Sequence, residues 1–383
     1  MLETDCTQPG VLKPIDKPVC FDTHGKFTSI CYHFQSLLGF FLAHLLFFCQ
    51  FYYIYLMITW PWNFGPSHIL RSILFILLIS YTAFYTVMER NTAFRGMYLG
   101  GRIRRAKAWN SVFSYFPVHM VLSDELIECA RQQNISSNLV STQSESAFPG
   151  LPADKNYLLG YHPHGLFTMG AAACFGTEAV GFSKVFPELR PWCAVHPNFF
   201  KFPLLREFAL FMGLLGATYN EIRYRLDPKI CGQKGNLVLV AVGGAAEMLE
   251  TRPDRYTLYL KRRFGIFKLA LQTGSSLIPC LSFGDTKLYN IIRSQKGTFM
   301  RKVEQLIHSW TDVPMVLFYA NGLAPYRKPI YAVVGAPIPC ERVSNPTREQ
   351  VAEVKLKYVE ALRKMFDRYK IYFDPDAGEL EMV

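Results

Sequence analysis

None of the ten cysteines forms a Cys-x-x-Cys pair, and none groups with histidine at zinc-ligand spacing. That excludes a zinc ribbon or a redox dithiol, and the scatter offers no framework of the kind small secreted domains use. The thiols are expected to be reduced and mostly buried, in a chain facing the cytosol, with no metal. Acidic residues are the scarcer sign: 30 Asp plus Glu stand against 41 Lys plus Arg, a formal net charge of +11. Such a surplus suits anionic membrane surfaces or phosphorylated ligands; for nucleic acid no recognised motif is present, and it is not expected as a partner. Gly-x-Ser-x-Gly is missing, which argues against a serine lipase of the α/β-hydrolase kind. No Gly-Lys-Ser/Thr follows the pair Gly243–Gly244, so that turn is no P-loop. The opening MLETDCTQPG sets no basic region before an apolar one, so no cleavable signal peptide is expected.

What the sequence has in excess is apolar length. Half its 383 residues are hydrophobic, more than a soluble enzyme of this size needs, so part of the chain is expected in lipid. Leu37–Thr59 carries no charge and spans about 35 Å as a helix. A second run covers Ile69–Met88. Between them, Pro61 and Pro66 break helix, while Trp60 and Trp62 suit a headgroup interface. The connector lacks Lys and Arg, whereas Arg90, Arg95, Arg102, Arg104, Arg105 and Lys107 crowd the exit. By the positive-inside rule both termini face the cytosol. The expected organisation is a tail over 1–30, a two-helix membrane hairpin over 31–90, and a larger domain over 91–383.

Residues 102–121 set basic residues before Trp109, Phe113 and Phe116 at helical spacing, which predicts either a helix on the membrane surface or an amphipathic core helix. The polar stretch 123–155 reads as a surface loop. From Asn156 onward strand-like segments recur at Tyr157–Tyr161, Cys193–Val195, Leu237–Val242, Leu277–Phe283, Met315–Tyr319 and Tyr331–Val334, with helical stretches between. This predicts an α/β domain with a largely parallel central sheet. A closing helix begins at Thr347, with Gln350 at capping-box spacing and a stripe of Val351, Val354, Leu362 and Phe366.

Three segments could carry chemistry. In YHPHG, Pro163 stiffens the chain between His162 and His164, and Gly165 lets backbone approach a ligand; histidine is the side chain best suited to proton exchange near neutral pH. In VGGAAE, Glu247 follows a strand end, where a carboxylate can orient an imidazole or simply complement a helix N-terminus. In KRRFGIFK, Arg262, Arg263 and Lys268 form a basic group suited to phosphates, although most such groups are solvated faces.

The ordered set YHPHG (161–165), TEA (177–179), FPELRP (186–191), FPLLREF (202–208), VGGAAE (242–247), FGIFKLAL (264–271), LIPCLSFGD (277–285) and PYRKPIYAVVGAPI (325–338) resembles the type-two diacylglycerol acyltransferases, whose relatives are monoacylglycerol acyltransferases and wax synthases. The resemblance implies a glycerolipid-acyltransferase-like fold at the endoplasmic reticulum and lipid droplets. The implied reaction transfers an acyl group from the co-substrate acyl-CoA to diacylglycerol, with no cofactor. It also implies a catalytic His162-Pro163-His164-Gly165 motif and maps the family's glutamate onto Glu247. The expected roles are His164 as general base, Glu247 orienting it, His162 structural, backbone near Gly165 as oxyanion donor, and Arg262, Arg263 and Lys268 on CoA phosphates. The wider kin place an aspartate five residues after the histidine, where this chain has Met169. Relatives read SFGEN where this chain has SFGDT, so Asp285 replaces a longer acid. Monoacylglycerol or a long-chain alcohol as acceptor, a non-catalytic lipid-binding role, and the oligomeric state stay open.

Overall fold

The computed structural model describes residues 19–22, 55, 68–87, 102–115, 117–136, 148, 150–201, 205–292, 294, 297–311, 316–321 and 324–383. Among these described residues twelve strands appear in chain order: β1 (Val19–Asp22), β2 (Val118–Leu122), β3 (Tyr157–His162), β4 (Arg190–Val195), β5 (Leu214–Gly216), β6 (Asn236–Ala241), β7 (Tyr256–Leu258), β8 (Ser276–Phe283), β9 (Asn290–Ile292), β10 (Leu317–Tyr319), β11 (Ile330–Val334) and β12 (Leu380–Met382). Eight of them form one sheet, in the order β1-β2-β11-β8-β3-β6-β4-β5. From β8 through β5 every pairing is parallel; β11 runs antiparallel to β8, and β1 to β2. The largely parallel sheet expected from the sequence is therefore present, with an antiparallel margin.

Parallel strands need both faces covered, and β3 shows how. Tyr157, Leu159 and Tyr161 join the core that includes Phe175, Phe182 and Phe186. Leu158 points the other way, into a core with Phe267, Leu362 and Phe366. The period-2 alternation thus divides one strand between two layers. Each large side chain withdrawn from water contributes roughly 1.5–3 kcal/mol. The second layer is dominated by the helix Arg348–Phe373, which starts at the predicted capping box on Thr347 and Gln350 and buries Val351, Val354, Leu362 and Phe366.

Three local expectations change. The helix predicted over 102–121 covers only Ala108–Phe113 before the chain enters β2, five buried residues paired parallel to β11. The stretch read as a loop from 123 holds the helix Asp124–Ser136, capped by the Ser123 hydroxyl on the Leu126 N–H at 3.1 Å, with Leu126, Ile127 and Ala130 in the core. The strand predicted at 315–319 is β10, which pairs with β9 in a separate two-stranded sheet. The tail 1–30 supplies β1, and the rest of it lies outside the described residues.

Of the two apolar runs, Leu37–Thr59 lies outside the described residues apart from Tyr55. The second coincides with the helix His68–Val87, which leaves Ile69, Ile73, Ile76 and Leu77 exposed. Among the described residues no helix is long and apolar enough to cross a membrane.

Candidate active site

Strands β6, β3 and β8 lie side by side and parallel, so their carboxyl ends open on one edge of the sheet. Open α/β sheets use this edge for ligands, because the loops there carry side chains away from the packed layers. His162 ends β3, Glu247 follows β6 after the Gly243–Gly244 turn, and Asp285 follows β8. The folding of three distant segments brings them together.

His162 is wholly buried, and its Nδ1 lies 3.4 Å from Glu247 Oε1. Its Nε2 lies 3.1 Å from the Tyr358 hydroxyl, which is also 3.1 Å from the Gly160 carbonyl. Gly160 is required there, because a Cβ would overlap the Tyr358 hydroxyl. The His162–Pro163 peptide is cis. The His162 ring is thus withdrawn from solvent, with Glu247 beside one nitrogen and Tyr358 beside the other.

His164 is differently placed. The residue is half-buried, and Nδ1 stands 3.0 Å from the Gly165 carbonyl. A carbonyl only accepts, so Nδ1 carries the proton and Nε2 keeps its lone pair. Desolvation lowers the His164 pKa from its ordinary value, while the Gly165 carbonyl, Glu247 and Asp285 oppose that shift. The neutral, proton-accepting form is favoured near pH 7.

Glu247 meets this residue through the main chain. Its Oε2 accepts the His164 N–H at 2.9 Å, and Oε1 accepts the Tyr259 N–H at 3.0 Å. The carboxylate fits only because residue 243 is glycine, where a Cβ would overlap the Glu247 carboxyl carbon. Glu247 and His164 are thus in contact, but the ring's own partner is Gly165. Gly165 itself, at φ +60°, backs onto Asp285, whose carbonyl oxygen lies 3.0 Å from the place a Cβ would take.

The basic segment divides. Arg263 Nη2 donates to the Gly243 carbonyl at 2.8 Å, which ties it to the turn that delivers Glu247. Arg262 and Lys268 are exposed beside it, around the start of the helix Gly265–Thr273. Among the described residues, no group of three or more His, Cys, Asp or Glu is placed to hold a metal ion. Sequence reasoning did not find Tyr358 or Tyr259. Tyr358 lies inside a helical stripe that reads as core, and Tyr259 contributes only its backbone.

A family model described as diacylglycerol acyltransferase matches residues 139–382. The chain belongs to this family. It is 31% identical over 306 residues to diacylglycerol O-acyltransferase 2 of Danio rerio, covering 78% of this chain and 77% of that protein. It is 32% identical over 348 residues to acyl-CoA wax alcohol acyltransferase 1 of Homo sapiens, covering 89% and 94%. It is also 31% identical over 282 residues to 2-acylglycerol O-acyltransferase 1 of Bos taurus, covering 71% and 76%. Among solved structures, a 1-acyl-sn-glycerophosphate acyltransferase from Thermotoga maritima aligns over 87% of this chain and 98% of its own, at 14% identity and a TM-score of 0.34. This family member is an acyltransferase, and acyl-CoA is its co-substrate.

Proposed function

We propose that this acyltransferase moves a fatty acyl group from acyl-CoA to diacylglycerol, making triacylglycerol, with His164 as general base. The observation that carries the reading is the His164 Nδ1 contact with the Gly165 carbonyl at 3.0 Å, which leaves Nε2 as the proton acceptor at a partly open position. In the reaction Nε2 takes the acceptor hydroxyl proton as its oxygen attacks the thioester carbonyl carbon. The new C–O bond puts negative charge on the carbonyl oxygen, and backbone N–H groups beside Gly165 stabilise it. The oxyanion then collapses, the C–S bond breaks, and the CoA thiolate takes the proton from the imidazolium. Glu247 fixes the main chain at His164 and favours its protonated form electrostatically. His162 holds the turn from behind. Arg262, Arg263 and Lys268 grip the CoA phosphates, a role suited to exposed cations around a helix start.

Residues 31–90 form a membrane hairpin in this reading. The exposed apolar residues of the helix His68–Val87 and the absence of Lys and Arg between the two runs support it. The protein then sits in the endoplasmic reticulum membrane, with both termini and the catalytic domain cytosolic, and reaches lipid droplets. The human wax alcohol relative matches over the larger share of both chains, so a long-chain alcohol is the second acceptor to test.

The test is an acceptor panel in microsomes expressing wild type or His164→Ala at matched levels. Labelled acyl-CoA is offered with diacylglycerol, monoacylglycerol or a long-chain alcohol. Histidine-dependent triacylglycerol as the main product supports both assignments. Full activity in His164→Ala removes the base, and dominance of another acceptor replaces diacylglycerol.

A further inference from the structure

One buried acid has no part in the reaction sequence above. Asp285 is 2% exposed, at the end of β8. Its Oδ2 accepts the Tyr161 hydroxyl at 2.5 Å and the Ser282 hydroxyl at 2.6 Å, and its Oδ1 accepts the Gly170 N–H at 3.1 Å. Tyr161 and Gly170 bracket the segment that contains His162-Pro163-His164-Gly165. A single carboxylate therefore ties both ends of the catalytic segment, while its own backbone presses on Gly165 in the middle. Glu247 grips the same segment from the β6 side through the His164 N–H. The turn that aims His164 is held between two buried acids from neighbouring strand ends.

A buried carboxylate is expensive unless it is fully hydrogen-bonded, and this one has a donor from each of three separate places in the chain. Two of the three belong to the margins of the catalytic segment, and the third, Ser282, anchors the acid to its own strand. Gly170 also has to be glycine, since a Cβ there would overlap the Tyr161 hydroxyl and stand 2.9 Å from Asp285 Oδ2.

We propose that Asp285 is a positioning residue for the acyl-transfer step, stapling Tyr161 to Gly170 so that the His164 ring is held in its working orientation. The inference rests on the assignment of His164 as base. Asp285 is buried and acts through Tyr161 and Gly170, and its negative charge also favours the imidazolium form of His164.

The test uses full-length protein in microsomes, with Asp285→Asn, Asp285→Glu, Tyr161→Phe and His164→Ala. Asp285→Asn keeps the shape, turns one oxygen into a donor and removes the charge. Its kcat is expected to fall by on the order of a hundredfold, the scale of an ångström's misplacement. KM for acyl-CoA is expected to stay within about twofold, because no ground-state contact is lost. The acid limb of its pH–kcat/KM profile moves to lower pH, since the lost charge favoured protonated His164. Asp285→Glu keeps the charge and recovers most of that loss, with the acid limb in place. Tyr161→Phe removes one tie, lowers kcat by roughly tenfold and leaves KM alone. If Asp285→Asn does not accumulate, Tyr161→Phe decides. Wild-type kcat in Tyr161→Phe, or a raised KM with unchanged kcat in any variant, overturns the proposal. An inactive His164→Ala beside a normal Asp285→Asn sinks this inference alone, whereas an active His164→Ala removes the base and the inference with it.

Discussion

Glu247 accepts the His164 N–H at 2.9 Å, so the acid and the proposed base are joined through the backbone while the imidazole turns to the Gly165 carbonyl at 3.0 Å. The acid therefore sets where the ring starts from, and its charge reaches the ring through space.

Glu247→Gln keeps the volume but offers one acceptor oxygen where the carboxylate offers two. An amide N–H must then face either the His164 or the Tyr259 N–H, and one buried donor loses its partner. The expected cost is about 1–3 kcal/mol of stability. Turnover is expected to fall by on the order of a hundredfold. Thermal unfolding and a labelled acyl-CoA assay on the same preparation check both. Wild-type turnover in a destabilised variant would show the contact to be purely architectural.

Gly243→Ala and Gly265→Ala form a matched pair. A Cβ at position 243 overlaps the Glu247 carboxyl carbon, whereas at 265 nothing lies within 4 Å. The first is expected to cost about 1–3 kcal/mol and most of the activity. The second is expected to be neutral within about 0.5 kcal/mol, as for surface positions elsewhere. Equal behaviour of the two variants contradicts the close fit around Glu247.

Tyr358→Phe deletes a hydroxyl that stands 3.1 Å from both His162 Nε2 and the Gly160 carbonyl. Two buried groups lose a partner, at an expected cost of about 1–3 kcal/mol. Because Tyr358 supports His162 and not the base, kcat should fall less than in His164→Ala. A chemical denaturation series and the acceptor assay measure the two effects separately.

The His164 pKa is lowered by desolvation from its ordinary value of 6.5. Between the lowered folded value and 6.5 the unfolded chain binds more protons, so stability rises with pH across that window. Stability is fully present above 6.5 and declines as pH falls toward the folded value; His164→Asn removes this slope. The acid limb of kcat/KM should lie below pH 6.5 for the same reason. An acid limb above 6.5 would reverse the sign of the shift and exclude a ring desolvated as this one is.

Much of this architecture is legible in the sequence where one segment carries its own signal. The apolar runs that become β3, β6, β8 and β11 place the strands to within a residue or so, and Thr347 with Gln350 marks the start of the last helix. The helix Asp124–Ser136 has a signal too: Ser123 caps it, Asp124 and Glu125 sit in its first turn, and Leu126, Ile127 and Ala130 share a face. Its Asn- and Gln-rich second half outweighs those cues. Strand β2 is hidden because the basic and aromatic residues before it have helical spacing. The site itself is half legible. His162, His164 and Glu247 stand out by residue type at strand ends. Tyr358 does not, because a tyrosine within an apolar helical stripe looks like core until the fold sets it under Gly160. Asp285 is visible as an acid closing an apolar strand, but its grip on Tyr161 and Gly170 exists only in three dimensions.

The Tyr358 contact with His162 also dictates an order of events during synthesis. The two residues are 196 positions apart, and the ribosome makes them in that sequence. A nascent chain can present the histidine motif, Glu247 and Asp285 well before the residue that braces His162 has been translated. Messages truncated before codon 358, and polypeptides stalled there, should therefore yield no acyl transfer even when every histidine and acid of the site has been made.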